Sequence, residues 1–451
     1  MMKHTIKPAV AVPEIAPQLP STRPRTHAVT RTLAAIGGGA LLLYGSRILL
    51  AFLGPVIPYS IQEDPDCTLD SEEFLQFLSI VTDGTLRRAR ITRLKNGGEF
   101  YPAEIEAIRS ARHAINLEFY EFKEGSVGDG LLEALIERAR AGVEVRVIVD
   151  AIGSFGTPEA YFAPLKAVGG RMHWYHPIRW DTWQRINNRT HRKLLLVDGK
   201  VGFIGGAGIA DHWLHQTAKG PEWRDTVFRV EGEAVAGMIS TFSENWLEAS
   251  GEILSGHAQF GFQAQPEGAQ AFVVSSTPHG GGTQARILFQ VLLKRARKTI
   301  RITTPYFLPD RSARMALIEA VQQRGVKVQI LTAGPRIDHP TIRKISRHSM
   351  RHLLEAGAEI FEYQPSMIHA KLLTVDEQWC VVGSTNFDHR SFALNDEVNL
   401  AVIDQALAQV IESDFDDDLK HSRRLTLDML KSRTLLGKTE EVLDPVLKWE
   451  S

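Results

Sequence analysis

The chain has 451 residues, of which 43% are hydrophobic, so it is long enough for two domains with cores of ordinary size. Its 52 Lys and Arg nearly balance its 53 Asp and Glu, and this argues against a protein that binds polyanions over its whole surface, although a local basic groove remains compatible. The two cysteines, Cys67 and Cys380, are far apart in sequence and provide neither a disulfide framework nor a C-x-x-C metal pair.

The first sixty residues differ in composition from the rest of the chain. Residues 1–32 carry five prolines and little that can pack, which predicts a disordered tail. Residues 33–58 are predominantly apolar, follow several arginines and exceed the roughly 20 residues that cross a bilayer. Arg47 lies near their middle and would cost about 2.5–3.5 kcal/mol there. We predict a membrane anchor at residues 33–58, with an amphipathic or buried helix as the alternative.

The arginines ahead of this segment favour a cytoplasmic N-terminus, so a single crossing would place the rest of the chain outside. A re-entrant hairpin that turns at residues 45–47 would return the rest of the chain to the cytoplasm. A cleaved signal peptide fits less well, because the basic region is long and no A-x-A site follows. Residues 59–94 are predicted to form a linker and peripheral helices.

The rest of the chain repeats one order of predicted strands and helices. Short Val/Ile/Leu-rich runs indicate buried strands of an α/β sheet, and apolar residues at three- and four-residue steps that end at a glycine indicate helices. We therefore predict a duplicated domain, with halves at 95–255 and 286–451, C-terminal helices in the second half, and a linker at 256–285. The corresponding segments are 115–122, 130–142, 143–150 and 165–177 in the first half, and 299–307, 313–325, 326–333 and 353–365 in the second.

The spacing H-x-K-x4-D-x6-G occurs twice, as HRKLLLVDGKVGFIGGAG from His191 and as HAKLLTVDEQWCVVGSTN from His369. Residues two apart on a strand project from the same face, so His191 and Lys193 point into one site, as do His369 and Lys371. An ammonium beside an imidazole is a poor metal site but a suitable phosphate site. Imidazole has an ordinary pKa of about 6.5, so one histidine can attack phosphorus while the other protonates the leaving alcohol.

Four further residues belong to these motifs. Asp198 and Asp376 each follow an apolar run, and each can tie the strand end to its turn through side-chain hydrogen bonds. Ser384 and Asn386 come just after the next turn of the second copy and can donate hydrogen bonds to phosphate oxygens.

Both copies resemble the signature of the phospholipase D superfamily, H-x-K-x4-D-x6-G-S-x-N, and the similarity covers about residues 95–430. The second copy matches at every position, whereas the first has Gly206 and Gly208 in place of Ser and Asn. The stretches PEWRDTVFRVEG, TTPYFLPD and DHRSFALNDEVNL further resemble bacterial cardiolipin synthases.

This resemblance implies an α/β fold of two α/β/α sandwich halves, related by a pseudo-twofold axis, with both motifs in one central cleft. It implies a two-step, metal-independent transfer through a phosphohistidine, without a cofactor, in a protein of the bacterial inner membrane. By analogy, His191 is the nucleophile and His369 is the acid for the departing glycerol and then the base for the second lipid. The reverse assignment stays open, because Gly208 removes a phosphate contact from the first half.

The resemblance also implies that Asp225 and Glu397 orient the two histidines, since a carboxylate on one imidazole nitrogen fixes the tautomer. The expected catalytic residues are His191, Lys193, Asp198, His369, Lys371, Asp376, Asp225 and Glu397, and the expected phosphate-binding residues are Gly206, Ser384 and Asn386.

The expected function is the conversion of two phosphatidylglycerols into cardiolipin and glycerol at a membrane. The aromatic stretch at residues 173–180 suits a lipid interface. Water in place of the second lipid would give a hydrolytic phospholipase D. The alternative is a phosphodiesterase for nucleic acid, which the near-zero net charge disfavours, apart from the basic run at residues 343–352. A non-catalytic lipid-binding scaffold fits two intact motifs poorly.

Overall fold

The computed structural model describes residues 38–39, 61, 67–179, 185, 187–217, 220–256, 259, 261–262, 264–277 and 283–431. The tail predicted at residues 1–32 and nearly all of the membrane segment predicted at 33–58 lie outside these ranges. The last twenty residues of the second half lie outside them as well. Among the residues that are described, no helix combines the length and apolar character that a membrane crossing requires.

The first half alternates strands and helices, as its sequence predicts. The helix predicted at 130–142 begins four residues earlier, at Ser126, and the strand predicted at 143–150 begins at Glu144. The elements, with one helix ahead of them, are α1 (Glu72–Thr82), β1 (Leu86–Lys95), α2 (Gly97–Ser110), β2 (Ala114–Phe119), α3 (Ser126–Arg140), β3 (Glu144–Asp150), α4 (Ala163–Ala167), β4 (Arg171–Tyr175), β5 (Arg189–Thr190), β6 (Lys193–Val197), β7 (Val201–Gly205), β8 (Thr226–Gly232) and α5 (Ala234–Ser250), with short 3-10 helices at Glu159–Phe162 and Asp211–Trp213.

The second half repeats this order with sharply defined helix ends. Its second helix is capped by Asp310, whose carboxylate accepts the amide of Ala313. At the other end the cap is Gly325, in the left-handed region that glycine favours. The elements are β9 (Ala269–Ser276), α6 (Gln284–Arg295), β10 (Thr299–Thr304), β11 (Phe307–Leu308), α7 (Arg311–Arg324), β12 (Lys327–Ala333), α8 (Pro340–Ala356), β13 (Glu359–Tyr363), β14 (Leu372–Val375), β15 (Trp379–Gly383), β16 (Phe387–Asp388), α9 (His389–Ala393), β17 (Asn395–Ile403), α10 (Gln405–Lys420), β18 (Ser422–Arg424) and α11 (Leu427–Lys431).

The main sheet runs β18-β13-β12-β10-β14-β15-β17-β9-β1-β8-β7-β6-β2-β3-β4 in the described residues. From its middle outward the two sides repeat each other, because β1-β8-β7-β6-β2-β3-β4 corresponds to β9-β17-β15-β14-β10-β12-β13. Strands β1 and β9 join the sides in an antiparallel pair, with Leu86 opposite Phe272. This order confirms the predicted α/β fold of two duplicated halves.

The predicted limits of the two halves leave out most of the two strands that join them, β1 and β9. The predicted linker at 256–285 contains the whole of β9, and β1 starts at Leu86 rather than after residue 95. The sequence of β9, AQAFVVSS, is neither a clean alternation nor a continuous apolar run, so its own pattern does not predict a strand. It pairs with β17 over seven residues but with β1 over only four.

Alternate residues of the inner strands face different cores. In β6, Leu195 and Val197 pack with α2 and α3, whereas Leu194 and Leu196 join a cluster that includes α5, α10 and second-half residues such as Leu372. Burial of such a leucine contributes about 1.5–3 kcal/mol. This shared cluster contains residues of both motifs, so it fixes the motif of one half relative to that of the other.

Candidate active site

The backbone at each motif histidine pairs with the backbone of the opposite half, and this brings the two histidines together. Strand β5 pairs in parallel with the start of β17, and the amide of His191 donates to the carbonyl of Asp396 at 2.9 Å. In the other half, Ile368 forms a bridge with Arg224, and the amide of His369 donates to the Arg224 carbonyl at 2.7 Å. Each histidine is therefore anchored to the backbone of the opposite half.

The carboxylate that holds each histidine also comes from the opposite half. Nδ1 of His191 lies 3.0 and 3.1 Å from the two carboxylate oxygens of Glu397, on β17. Nδ1 of His369 lies 3.1 Å from Oδ2 of Asp225, immediately before β8. Because a carboxylate accepts, Nδ1 carries the proton and Nε2 keeps the lone pair, as a nucleophile or a base requires.

The two motif lysines lie beside their histidines and are almost completely buried. Nζ of each lysine donates to the backbone carbonyl of its own histidine at 2.5 Å, and Lys371 Nζ also lies 2.9 Å from Nδ1 and 3.0 Å from Nε2 of His369. Burial and the charge of Lys371 lower the pKa of Lys193 to about 7, and burial lowers that of Lys371 to about 8. Burial and mutual repulsion disfavour the charged form of both lysines. A bound anion would relieve this, so the pair forms a candidate anion site.

Both histidines are neutral at pH 7. Burial and the neighbouring ammonium groups of Lys193 and Lys371 hold the pKa of His191 well below its usual value. Burial and Lys371 lower the pKa of His369 to about 3, against the opposing effect of Asp225. A bound phosphodiester would oppose the lysine charges and return these pKa values toward neutrality.

The pKa values of the two carboxylates are shifted in opposite directions. Burial raises the pKa of Glu397 to about 7, although the charge of Lys193 acts in the opposite direction. Burial alone would also raise the pKa of Asp225, but its hydrogen bond to His369 and the charge of Lys371 hold it below the usual value. Asp225 is thus more fully ionised than Glu397 at neutral pH. It therefore stabilises the imidazolium form of His369 better than Glu397 stabilises that of His191.

The structure places Ser384 on a carboxylate rather than toward open space. Its hydroxyl donates to Glu397 at 2.5 Å and accepts the amide of Val398 at 3.0 Å, so its one proton is already committed. The corresponding Gly206 has no room for a side chain, because a Cβ there would lie 2.6 Å from Asp225 Oδ1 and 2.7 Å from the His369 carbonyl. Both positions therefore lie against the carboxylates, and the phosphate-binding role of Ser384 and Gly206 stays a prediction.

Asn386 and Gly208 account for the remaining difference between the motifs. Asn386 is buried, and its Oδ1 has no hydrogen-bond partner among the described residues. A Cβ at Gly208 would lie 3.0 Å from the Trp213 ring and from Cβ of Glu121. Trp213 occupies this space, and its indole Nε1 donates to Oδ2 of Asp225 at 3.1 Å.

Sequence reasoning missed Trp213 as a site residue, although the two glycines were a signal for it. A large side chain from elsewhere has to fill the volume that the signature's Ser and Asn leave empty. Aromatic rings also cover the histidines: Tyr120 packs on His191, with ring centroids 5.3 Å apart, and Trp223 packs on His369 at 5.5 Å. Each imidazole is therefore in contact with an aromatic ring.

Asp198 and Asp376 lie apart from this cluster, at the far ends of β6 and β14. Five residues along a strand, at about 3.3 Å each, separate Asp198 from Lys193. The Asp198 carboxylate accepts the amides of residues 112–114 at 2.7–2.9 Å, and that of Asp376 accepts those of residues 297–299 at 2.7–2.9 Å. Their placement fits the strand-end interpretation rather than contact with substrate.

The comparisons with known proteins agree with this geometry. A family described as "Cardiolipin synthase, PLD-like domain" matches residues 105–217 and 290–419. Cardiolipin synthase of Listeria monocytogenes is 33% identical over 83% of this chain and 78% of its own length, and cardiolipin synthase 2 of Bacillus anthracis is 33% identical over 78% and 70%.

Among solved structures, phosphatidylserine synthase of Haemophilus influenzae superposes with a TM-score of 0.64 at 15% identity, over 83% of this chain and 98% of its own. At that identity the likeness shows the fold alone. Together with the family match and the 33% identity to two synthases, it leaves one conclusion: this chain belongs to the phospholipase D superfamily, as a cardiolipin synthase-like phosphatidyltransferase.

Proposed function

We propose that the chain joins two phosphatidylglycerols into cardiolipin and glycerol through a phosphohistidine, without a metal, at the bacterial cell membrane. The observation that carries the proposal is the pair of buried, neutral imidazoles, each with Nδ1 on a carboxylate and each beside an ammonium group. The names of the related synthases support the choice of lipid, and the apolar segment at 33–58 supports the location.

In the first step, Nε2 of His191 attacks the phosphorus of one phosphatidylglycerol, and the bond from phosphorus to the headgroup glycerol oxygen breaks. His369, protonated once the substrate anion is bound, gives its proton to that oxygen, and glycerol leaves. In the second step, His369 takes the proton of a hydroxyl of the second phosphatidylglycerol, whose oxygen displaces His191. Both histidines are then restored.

The unequal carboxylates support this division of roles. An imidazole that acts as acid and base passes through the imidazolium form, which an ionised carboxylate stabilises. Asp225, with its lowered pKa, provides that carboxylate for His369. Glu397, with its pKa raised to about 7, is less suited to it and holds His191 chiefly in orientation.

The two lysines supply the positive charge that the reaction needs. The nonbridging oxygens carry one negative charge in the diester and more in the transition state, and preformed donors around them lower the barrier. Lys371 is already ordered beside Nε2 of His369, and Lys193 is held on the backbone carbonyl of His191, which supports a metal-independent reaction. A chelator should therefore leave the initial rate unchanged, whereas a chelator effect reversed by a divalent cation would contradict metal independence.

The test incubates the purified full chain, and its His191→Ala and His369→Ala variants, with phosphatidylglycerol vesicles. We expect cardiolipin and glycerol from the wild type and neither from the variants. A phosphatidyl ester with a nitrophenol leaving group needs no acid, so His369→Ala should release nitrophenol once and retain a labelled phosphatidyl group. Label on His191→Ala instead would reverse the roles.

Two other products would contradict the proposal directly. Phosphatidic acid as the main product, with no cardiolipin, would make the enzyme a hydrolase. Cleavage of single-stranded DNA without turnover of lipid would make it a nucleic-acid phosphodiesterase.

A further inference from the structure

The first half presents an exposed aromatic ring close to its motif lysine. Phe155, in the loop after β3, is 78% exposed, and its carbonyl accepts a hydrogen bond from Lys123. The ammonium of Lys123 lies 3.7 Å from the carboxylate of Glu121, which in turn borders Gly208 and interacts with the charge of Lys193. This chain of contacts places Phe155 at the edge of the active site.

The second half reaches the same edge through helix α8. The helix starts two residues after Asp338, whose carboxylate accepts the hydroxyl of Tyr306 at 2.7 Å and whose charge acts on Lys371. On its second turn, Ile345 is 41% exposed beside the exposed Lys344. Because the charge of Asp338 also acts on Glu121, the start of α8 lies at the same edge as the Phe155 loop.

This edge is cationic as well as apolar. Residues 336–356 hold five Lys and Arg against two Asp and Glu. Arg343 and Arg347 are both bound to the buried Glu362 and Arg351 pairs with Glu355, so the charge available at the surface comes from Lys344, together with the exposed Arg336 before the helix. The basic run at residues 343–352 thus contains arginines that bind a buried carboxylate and a lysine that is exposed to solvent.

We propose that a docking rim made of Phe155, Lys344 and Ile345 sits on an anionic phospholipid bilayer and turns the active site toward the lipid headgroups. Exposed Phe and Ile side chains gain by burial in the interfacial region, and the lysine gains by attraction to lipid phosphates. A nucleic-acid backbone would attract the lysine but would not bury the two apolar side chains. A second copy of the chain would present the same positive charge and would be repelled. The purpose of this docking rests on the function proposed above, but the docking itself does not.

The test places an environment-sensitive fluorophore (NBD) on single cysteines introduced by Ile345→Cys and Phe155→Cys. The full chain is used with Cys67→Ser, since Cys380 is buried and inaccessible to label. The matched control is Ile253→Cys. Ile253 is 74% exposed and follows Glu252, which pairs with Arg171 at the end of β4 remote from the active site.

With phosphatidylglycerol vesicles, the emission at 345 and at 155 should shift to the blue and become quenched by spin-labelled lipid, whereas position 253 should not change. Phosphatidylcholine vesicles should produce a much smaller effect. No shift at 345 or at 155 would overturn the proposal, as would equal shifts at all three positions. A blue-shifted label at 345 before vesicles are added, unchanged afterwards, would instead indicate that the chain's own segment 432–451 covers α8.

An activity measurement separates docking from catalysis. For Lys344→Glu, the ratio of activity on vesicles to activity on detergent micelles should fall by roughly tenfold, because one surface charge is reversed. Ile253→Glu should leave the ratio unchanged. Blue shifts without any cardiolipin formation would refute the proposed function and leave the docking intact, and cardiolipin formation without blue shifts would do the reverse.

Discussion

The indole Nε1 of Trp213 and the carboxylate of Asp225 are joined by a hydrogen bond of 3.1 Å, on the same Oδ2 that faces Nδ1 of His369. In the other half, the hydroxyl of Ser384 supplies the second donor to Glu397. The two halves thus hold equivalent carboxylates by different means. An indole gives a rigid, buried donor, and this helps to keep Asp225 ionised next to the histidine that we assign as acid and base.

Removal of this donor by Trp213→Phe should therefore slow the reaction and change its pH dependence. The pKa of Asp225 should rise, so the acidic limb of kcat, where Asp225 must be ionised, should move to higher pH. We expect kcat to fall roughly tenfold at neutral pH. A pH–rate profile on phosphatidylglycerol measures both effects.

The matched control is Trp246→Phe, which removes a second buried indole that donates to a carboxylate, that of Glu252 on the far side of the molecule. It should lower the melting temperature and leave the pH profile in place. A Trp213→Phe profile with unchanged limbs would reduce Trp213 to a packing residue.

The glycine at position 206 should be indispensable. In Gly206→Ser the new Cβ would overlap Asp225 and the backbone of His369, and neither is the free end of a flexible side chain. His369 must then move, and a shift of about 1 Å at a catalytic group costs on the order of a hundredfold in rate. Gly98→Ser, where no atom lies within 4 Å of the added Cβ, is the control that should keep full activity. Full activity in Gly206→Ser would show that the first half tolerates the signature's serine.

The sequence was sufficient to predict the duplication and to single out the two histidines and two lysines of the motifs, because strand periodicity and a spacing that occurs twice are local properties. It could not place Trp213 on Asp225, since that contact depends on how the loop after β7 folds back. The start of β9 was missed for a similar reason, because that strand is defined by its neighbours β17 and β1 rather than by its own pattern. The surroundings of Ser384 and Gly206 likewise depend on where the carboxylate of the same half lies, Glu397 for Ser384 and Asp225 for Gly206.

Asp198 should contribute to stability rather than to turnover. Its carboxylate accepts three backbone amides, and its φ of 52° is one that Asn tolerates well, so Asp198→Asn removes charge with little strain. We expect the free energy of unfolding to drop by about 2–3 kcal/mol, with kcat unchanged in the folded fraction. Denaturant unfolding combined with active-site titration measures both quantities. Loss of kcat at unchanged stability would return Asp198 to the catalytic group, and Asp376→Asn provides an independent repeat.

The lowered pKa values of the two lysines predict that kcat/KM begins to fall at an unusually low alkaline pH. Lys193, with a pKa of about 7, and Lys371, with a pKa of about 8, lose their protons as the pH rises, and with them the attraction for a phosphodiester. Since kcat/KM reports the free enzyme, it should fall through an apparent pKa of about 7–8 that belongs to the pair. The limb of kcat should lie higher, because bound phosphate favours the charged lysines. A water-soluble, short-chain phosphatidylglycerol keeps the substrate constant across this range.

Stability should change in the opposite direction over the same range. Between about pH 8 and the ordinary lysine pKa near 10.4, the unfolded chain holds protons that the folded site has lost, so the contribution of these lysines to the free energy of unfolding rises with pH. An enzyme that simply unfolded in alkali would lose stability and kcat/KM together. Lys371→Met should flatten the stability trend, whereas kcat/KM that stays constant up to pH 10 would refute a site in which the lysines are paired and buried.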